Sequence, residues 1–246
     1  MKKSKIEWTT HTFNPWIGCT KVSPGCLNCY AETLMDTRYG RAKWGRGNPR
    51  SRTSASNWKQ PLAWDKDAAK LGERHRVFCA SLADVFDGEV ANGWRDDLWA
   101  LIKSTPNLDW LLLTKRPEVM LSETRRLGVP ENVWLGVSVE DQVRAQERIP
   151  LLIETDAVVK FLSVEPLLGP LDLSYWLTAP VRPNLQWVIV GGESGPGARP
   201  MEEEWVQGIL AECEDAGVAF LFKQWGGVNK SATGRILNGR TYDALP

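Results

Sequence analysis

Three cysteines near the start of the chain, Cys19, Cys26 and Cys29, lie within eleven residues and carry the strongest chemical signal in the sequence. The turn-forming residues Ser23-Pro24-Gly25 precede the second cysteine, and Asn28 precedes the third, so the loop can bend enough to bring the sulfur atoms together. Converging thiolates are ligands for a soft metal ion or an iron–sulfur cluster. The sequence therefore predicts a metal centre in this loop.

Two kinds of metal centre fit these residues. A structural zinc site has four protein ligands, and His11 is the candidate for the fourth. Zinc knuckles, however, usually contain two short Cys-x2-Cys spacings, and the loop contains one, at Cys26 and Cys29. A three-cysteine loop without an obvious fourth ligand instead favours an iron–sulfur cluster in which one iron is open to a small molecule. Zinc remains the alternative.

The other two cysteines are expected to be buried thiols. Cys79 lies in an apolar run and Cys213 in a helical pattern. The odd total of five cysteines argues against a disulfide framework. The basic residues 1–5 are followed by a polar segment rather than an apolar one, and no apolar run approaches the roughly 18 residues of a membrane helix. We therefore expect no export, no membrane partner and a cytoplasmic location.

Repeated apolar runs follow the cysteine loop, each of which suits a strand that is buried on both faces. The runs are 77–81, 110–114, 133–138, 158–163, 187–191 and 219–223, with helix candidates at 90–103, 117–127, 141–153 and 201–216. A seventh strand is expected near residues 12–13. This alternation predicts an α/β fold, a partial β/α barrel of about six to seven parallel strands with an N-terminal cysteine loop. We expect one domain over 1–246, with the loop and a basic insertion in 1–75 and the β/α repeats in 76–246.

Charged or hydroxyl side chains follow every predicted strand. Because the carboxyl ends of parallel strands meet at one edge, these side chains are expected to converge on an active site. For any one of them, an ordinary helix-capping role is the alternative. The candidates are Lys115, Arg116, Ser138, Glu140, Glu165, Glu193 and Lys223.

The start of the chain resembles the opening of a phage-associated three-cysteine-motif family. The matching segments are Asn14-Pro15-Trp16-Ile17-Gly18-Cys19 and Ser23-Pro24-Gly25-Cys26-Leu27-Asn28-Cys29-Tyr30-Ala31. Segments 113–117, 136–140, 162–167 and 191–195 are similar to that family as well, so the resemblance covers nearly the whole chain. Three clustered cysteines ahead of a β/α repeat also resemble the radical S-adenosylmethionine superfamily.

The superfamily resemblance implies a 4Fe–4S cluster on Cys19, Cys26 and Cys29 that reductively cleaves S-adenosylmethionine and generates a radical, with electrons from an external donor. The strand-end residues would then bind this cofactor: Ser138, Glu140, Glu165 and Glu193 its amino group and ribose hydroxyls, and Lys115, Arg116 and Lys223 its carboxylate or an anionic substrate.

The sequence departs from the superfamily in two places. The usual spacing is Cys-x3-Cys-x2-Cys with an aromatic residue before the third cysteine, whereas here the first gap is six residues and Tyr30 follows Cys29. The superfamily's Gly-Gly-Glu segment normally ends the second strand, whereas Gly191-Gly192-Glu193 ends a late one.

The charge distribution suggests a polyanionic partner. Residues 1–76 carry 15 Lys and Arg against 6 Asp and Glu, although the whole chain is neutral. A basic loop with interleaved aromatic residues is typical of contacts with a nucleic-acid backbone, and a solvated loop is the alternative. The predicted contacts with DNA, RNA or a nucleotide are Arg41, Trp44, Arg46, Arg50 and Arg52.

Three functions are therefore compared. The first is a radical S-adenosylmethionine enzyme that acts on a nucleic acid or nucleotide, located in the host cytosol if the chain is phage-encoded. The second is a zinc-bearing, non-catalytic nucleic-acid-binding phage protein. The third is a β/α hydrolase or transferase in which the cysteines are structural and the strand-end carboxylates perform acid–base chemistry.

Overall fold

The structure is a computed structural model that describes residue 4, residues 6–178 and residues 185–246. These residues form two compact units. Unit 1 comprises 1–21, 31–135 and 155–158, and unit 2 comprises 22–30, 136–154 and 159–246. Of residues 1–5, which bear on the expectation of no export, only Ser4 lies within the described part.

The strands in the described residues are β1 (His11–Thr12), β2 (Trp16–Ile17), β3 (Ser51–Arg52), β4 (His75–Cys79), β5 (Leu108–Thr114), β6 (Val133–Ser138), β7 (Val159–Val164), β8 (Trp187–Gly191) and β9 (Ala219–Gln224). The helices are α1 (Tyr30–Glu32), α2 (Ala55–Trp58), α3 (Gln60–Leu71), α4 (Asn92–Lys103), α5 (Pro117–Leu127), α6 (Gln142–Ile153), α7 (Ser174–Leu177), α8 (Glu203–Ala216) and α9 (Lys230–Thr233). A 3-10 turn spans Pro24–Cys26, and a π-helix spans Thr33–Arg38.

The main sheet has seven strands in the order β1-β4-β5-β6-β7-β8-β9, and strands β2 and β3 form a separate antiparallel pair. This topology confirms the predicted partial β/α barrel, including its seventh strand near residues 12–13. The cause is visible in the burial of the strands, since every residue of β8 is buried and so are six of the seven residues of β5. Near-continuous apolar runs of this kind are what a sheet covered on both faces requires.

Within unit 1, strand β4 pairs in parallel with both β1 and β5. Phe13, directly after β1, is fully buried. Its ring meets Trp110 of β5 edge-on at 5.6 Å between centroids and Trp64 of α3 at 6.5 Å. Edge-to-face aromatic packing of this kind stabilises a core beyond the area that it buries. The segment before the cysteines is therefore anchored in the core of unit 1.

Within unit 2, strand β8 pairs in parallel with both β7 and β9. Helix α8 is capped by Gly217, whose positive φ of 66° lies in the left-handed region. Cys213 of α8 is fully buried, as is Cys79 in unit 1, which confirms both as interior thiols.

Gly136 in β6 is required by the close approach of Phe161, because a Cβ atom at this position would lie 2.5 Å from the Phe161 ring. We expect Gly136→Ala to lower the free energy of unfolding by about 1–3 kcal/mol through overpacking. Phe161→Leu in the same chain should restore part of the loss. Gly208→Ala in α8 is the matched control, since its Cβ meets no atom within 4 Å. If urea unfolding gave Gly208→Ala a lower free energy of unfolding than Gly136→Ala, this explanation would be wrong.

None of the helices in residues 4, 6–178 and 185–246 combines the length and the apolar character that crossing a membrane requires.

Candidate functional site

Cys19 lies in unit 1 and is held by Arg116, which follows β5. The Arg116 guanidinium donates to the Cys19 Sγ at 3.5 Å and to the Thr20 carbonyl at 2.6 Å. The Cys19 carbonyl accepts from the Gly45 amide at 2.9 Å. The side chain of the first cysteine is therefore held at the end of β5, and its backbone is held by the loop at Gly45.

Asp84 positions Arg116. Its carboxylate forms a buried ion pair with the guanidinium at 2.8 Å and accepts from the Thr114 hydroxyl at 2.7 Å. It also accepts from the backbone amide of Lys115, whose side chain is half-buried. Asp84, Arg116 and Cys19 thus form a continuous chain of contacts across two loops that follow β4 and β5.

Burial and the charge of Asp84 raise the pKa of the Cys19 thiol, Arg116 lowers it, and the net value is about 12. Asp84 and Cys19 in turn raise the pKa of Arg116, against the opposing effect of burial. The guanidinium is therefore charged at any working pH. A metal ion that binds this thiol must displace its proton.

Cys26 and Cys29 lie in unit 2, on the loop 22–30. The Cys26 amide donates to the Ser23 carbonyl at 2.9 Å, which closes the 3-10 turn, and the Ser23 Oγ lies 3.9 Å from the Cys26 Sγ. The turn begins at Pro24, whose fixed φ suits a first helical position. The Ser-Pro-Gly sequence therefore shapes the backbone around Cys26.

Glu140, directly after β6, holds this turn. It accepts from the Gly25 amide at 3.2 Å and pairs with Arg148 of α6 at 2.9 Å, and its side chain is fully buried. A Cβ atom on Gly25 would lie 3.1 Å from the Glu140 carboxylate and 3.3 Å from Pro166. The glycine of the motif therefore allows the loop to approach the strand end. Arg148 also donates to the carbonyl of Ser138, which is itself buried.

Glu193, which follows β8, holds the second half of the loop. Its carboxylate accepts from the Asn28 amide group at 2.9 Å and from the Arg199 Nε at 2.8 Å. Arg199 also donates to the Pro24 carbonyl at 3.0 Å. Asn28, the residue before Cys29, therefore carries a tertiary contact as well as a turn.

The remaining candidates, Glu165 and Lys223, pair with each other at 2.8 Å. Glu165 also accepts from Ser163 at 3.3 Å. Gly191 leaves space for this carboxylate, because a Cβ there would lie 2.7 Å from its oxygen. At Gly192 a Cβ would lie 2.0 Å from the Trp225 carbonyl. The Gly-Gly-Glu segment thus has packing reasons for both glycines, and its cofactor role stays a prediction.

Burial would raise the pKa of Glu193, but hydrogen bonds from Arg199 and Asn28 outweigh it and lower the pKa to about 2. Because the pKa is depressed in the folded state, the stabilisation is present above the ordinary value of 4.5 and is lost as pH falls toward 2. We expect wild type to lose on the order of 3 kcal/mol relative to Glu193→Gln over this interval, measured by urea unfolding.

Glu212 provides a control of opposite sign, since burial raises its pKa. The stability of wild type relative to Glu212→Gln should therefore rise as pH falls. Parallel pH dependence in the two variants would contradict the assignment to specific hydrogen bonds.

Two of the predicted nucleic-acid contacts are inside unit 1. Trp44 is buried at 8% exposure. Arg50 has a fully buried side chain that pairs with Asp87 at 2.7 Å and Glu89 at 3.3 Å. Arg50 therefore neutralises carboxylates within the fold and has no surface available for a polyanion.

The other three predicted contacts differ among themselves. Arg52 is partly exposed, pairs with Asp97 at 2.7 Å and lies over the Trp58 ring at 4.2 Å. Arg41 and Arg46 are exposed. The basic surface of this segment is therefore narrower than the sequence suggested.

His11, the candidate fourth zinc ligand, is buried beside another histidine. Its Nε2 lies 3.2 Å from the His75 Nδ1, and its ring stacks on Trp64 at 4.3 Å. Among the described residues, no group of three or more His, Cys, Asp or Glu side chains is arranged to hold a metal ion.

Three features of the site were not predicted from the sequence. They are the roles of Arg148 and Asp87 and the tertiary contact of Asn28. Arg148 had a detectable signal, because it follows Ala145 by three residues and precedes Leu152 by four, on the apolar stripe of α6. A cation on such a stripe predicts a buried carboxylate partner. Asp87 and Asn28 had no comparable signal.

A family model described as a protein of unknown function (DUF5131) matches residues 3–246. Neither a search of curated proteins nor a search of solved structures returned a match.

Proposed function

We propose that this chain, which belongs to the DUF5131 family, is an iron–sulfur enzyme that cleaves S-adenosylmethionine reductively and acts on a nucleic acid or nucleotide. The observation that carries the proposal concerns where the cysteines are held. In unit 1, Arg116 after β5 contacts Cys19. In unit 2, Glu140 and Glu193, after β6 and β8, hold the turn of Cys26 and the residue before Cys29. Carboxyl ends of parallel strands are where β/α proteins place their chemistry.

Support for a thiolate-ligated cluster comes from the chemical type of the donors and not from their arrangement, because the described residues form no ready-made metal site. All five cysteines carry thiols rather than disulfides, and Cys19, Cys26 and Cys29 are half-exposed whereas Cys79 and Cys213 are buried. The half-exposed thiols are accessible to a cofactor, and each lies in a loop with tertiary anchors. A bound 4Fe–4S cluster would supply the electron that cleaves the sulfonium of S-adenosylmethionine.

In this proposal, the residues around these thiols orient the cysteine loop and bind S-adenosylmethionine. Arg116 places a fixed positive charge beside Cys19, which lowers the pKa of this thiol and so offsets part of the rise that burial and Asp84 cause. Glu165 and Lys223 pair with each other at 2.8 Å, so the amino and carboxylate groups of S-adenosylmethionine would have to replace this ion pair in order to bind them. Glu140 serves chiefly to fix the loop, because Arg148 and the Gly25 amide occupy its oxygens.

Thiolate ligands and an electron supply both require reducing conditions, so we place the enzyme in the cytosol with an external electron donor. Each of Glu140, Glu165 and Glu193 lies in an ion pair. At Glu193 the lowered pKa of about 2 argues against the acid–base role of a hydrolase, since a general base needs a pKa near the working pH.

Anaerobic purification followed by iron, sulfide and zinc analysis tests the proposal. We expect about four irons per chain and a broad absorption band at about 400 nm. The reduced protein with S-adenosylmethionine should form 5′-deoxyadenosine. Stoichiometric zinc in colourless anaerobic protein would instead support the non-catalytic zinc protein.

A further inference from the structure

An exposed tyrosine between two arginines lies at the end of the π-helix Thr33–Arg38 in unit 1. Tyr39 is 51% exposed. The guanidinium carbons of Arg38 and Arg41 lie 5.6 Å and 5.5 Å from the centre of its ring. Both arginines are exposed, and both distances are within the range of a cation–π contact.

These arginines retain their hydrogen-bond donors. Within the described part of the chain, no carboxylate pairs with Arg38, Arg41 or Arg46, whereas Arg50 uses its donors on Asp87, Thr20 and backbone carbonyls. A cation–π contact holds a guanidinium in place without using any of its five N–H groups. The guanidinium groups are therefore oriented and available to an anion.

The segment that presents them is ordered by its own hydrogen bonds. The Tyr39 amide donates to the Leu34 carbonyl at 3.1 Å, and the Arg41 amide to the Met35 carbonyl at 2.8 Å. Asp36 accepts from the Trp44 amide at 2.8 Å and pairs with Lys43 at 2.9 Å. Asp36 is thus paired with Lys43, so the unpaired positive charges of this segment, among the described residues, are those of Arg38, Arg41 and Arg46.

From this arrangement we infer that Arg38, Tyr39, Arg41 and Arg46 form a binding surface for single-stranded nucleic acid. Guanidinium groups match phosphate oxygens in geometry and charge. An exposed aromatic ring or guanidinium plane stacks on an unpaired base, which a duplex does not offer. The inference rests on the nucleic-acid substrate of the proposed function and narrows it to a single strand. Compared with the contacts predicted from the sequence, this surface omits the buried Trp44 and Arg50 and the paired Arg52, and it adds Arg38 and Tyr39.

Fluorescence anisotropy with a labelled dT20 strand and the full chain tests this surface. Arg38→Gln with Arg41→Gln should weaken binding at least about tenfold and reduce the slope of log K against log salt by about 1.4, or 0.7 per lost phosphate contact. Tyr39→Leu should weaken binding about fivefold or more, and Tyr39→Phe should not. Lys66→Gln with Lys70→Gln on α3 removes the same charge from exposed positions elsewhere in unit 1 and should leave binding unchanged.

Three results would each overturn the inference. The α3 control could lose as much affinity for dT20 as the arginine variant, Tyr39→Leu could bind dT20 as tightly as wild type, or the protein could bind a 20-base-pair duplex equally tightly. Iron content and 5′-deoxyadenosine formation in the same preparations separate it from the proposed function. Single-strand binding by protein that holds no iron would support the surface and overturn the catalytic proposal. Cofactor cleavage without dT20 binding would overturn the surface alone.

Discussion

Cys26→Ala should abolish cluster binding, with iron falling from about four atoms per chain to less than one and the absorption at about 400 nm disappearing. A 4Fe–4S cluster held by three cysteines has no spare protein ligand, so the loss of one thiolate releases it. Cys26 is half-exposed in a turn that Glu140 fixes through Gly25. The measurement is iron and sulfide analysis of anaerobically reconstituted protein.

Cys213→Ala is the matched control, because it also removes one thiol but from the buried face of α8. We expect it to retain full iron content with only a modest loss of stability. Cys26→Ala protein that keeps four irons, or Cys213→Ala protein that loses them, would show that the ligands have been misassigned. Circular dichroism of both variants distinguishes loss of the cluster from loss of the fold.

Arg148→Met should lower the free energy of unfolding by about 3–5 kcal/mol, since it leaves the Glu140 carboxylate buried without its cation. Glu140 is fully buried and Arg148 is 4% exposed, so water cannot compensate for the missing charge. The melting temperature should fall by about 10 °C in a chain of this length. Thermal unfolding of the cluster-free protein measures this effect directly.

The double variant Glu140→Leu with Arg148→Met separates the ion pair from the loop contact. Replacing both members of a buried pair with apolar residues is often nearly neutral, so most of the lost stability should return. The Gly25 amide, however, loses its acceptor in the double variant. We therefore expect a chelator to remove iron faster from the double variant than from wild type. A double variant as unstable as Arg148→Met would contradict a pairwise origin of the effect.

Local sequence patterns were sufficient to predict most of the architecture. Apolar runs located the strands β4 to β9 within two residues, and a 3.6-residue period located α4, α5, α6 and α8. These patterns are reliable because a strand or helix buries side chains that are close to each other in sequence. The interior positions of Cys79 and Cys213 followed from the same reasoning.

Pairing of charges was not predictable from local sequence. Arg41 and Arg50 occur in similar basic, glycine-containing surroundings, yet Arg41 is exposed and Arg50 is buried. The difference arises from Asp87, which lies 37 residues beyond Arg50 and accepts a hydrogen bond from its guanidinium. A charged side chain becomes buried only where the fold supplies its partner, and that partner is set by tertiary contacts.

The sequence by itself determined the three-cysteine spacing, the β/α repeat and the polar residues that follow its strands. Only the tertiary structure decided what those residues contact. It joined Gly25 to Glu140 across 115 positions and Asn28 to Glu193 across 165. Hydrogen bonds of this range depend on where the chain returns after folding, whereas periodicity depends on neighbouring residues alone. The residue types that suggest a site are therefore encoded locally, and the contacts that hold them are set by the fold.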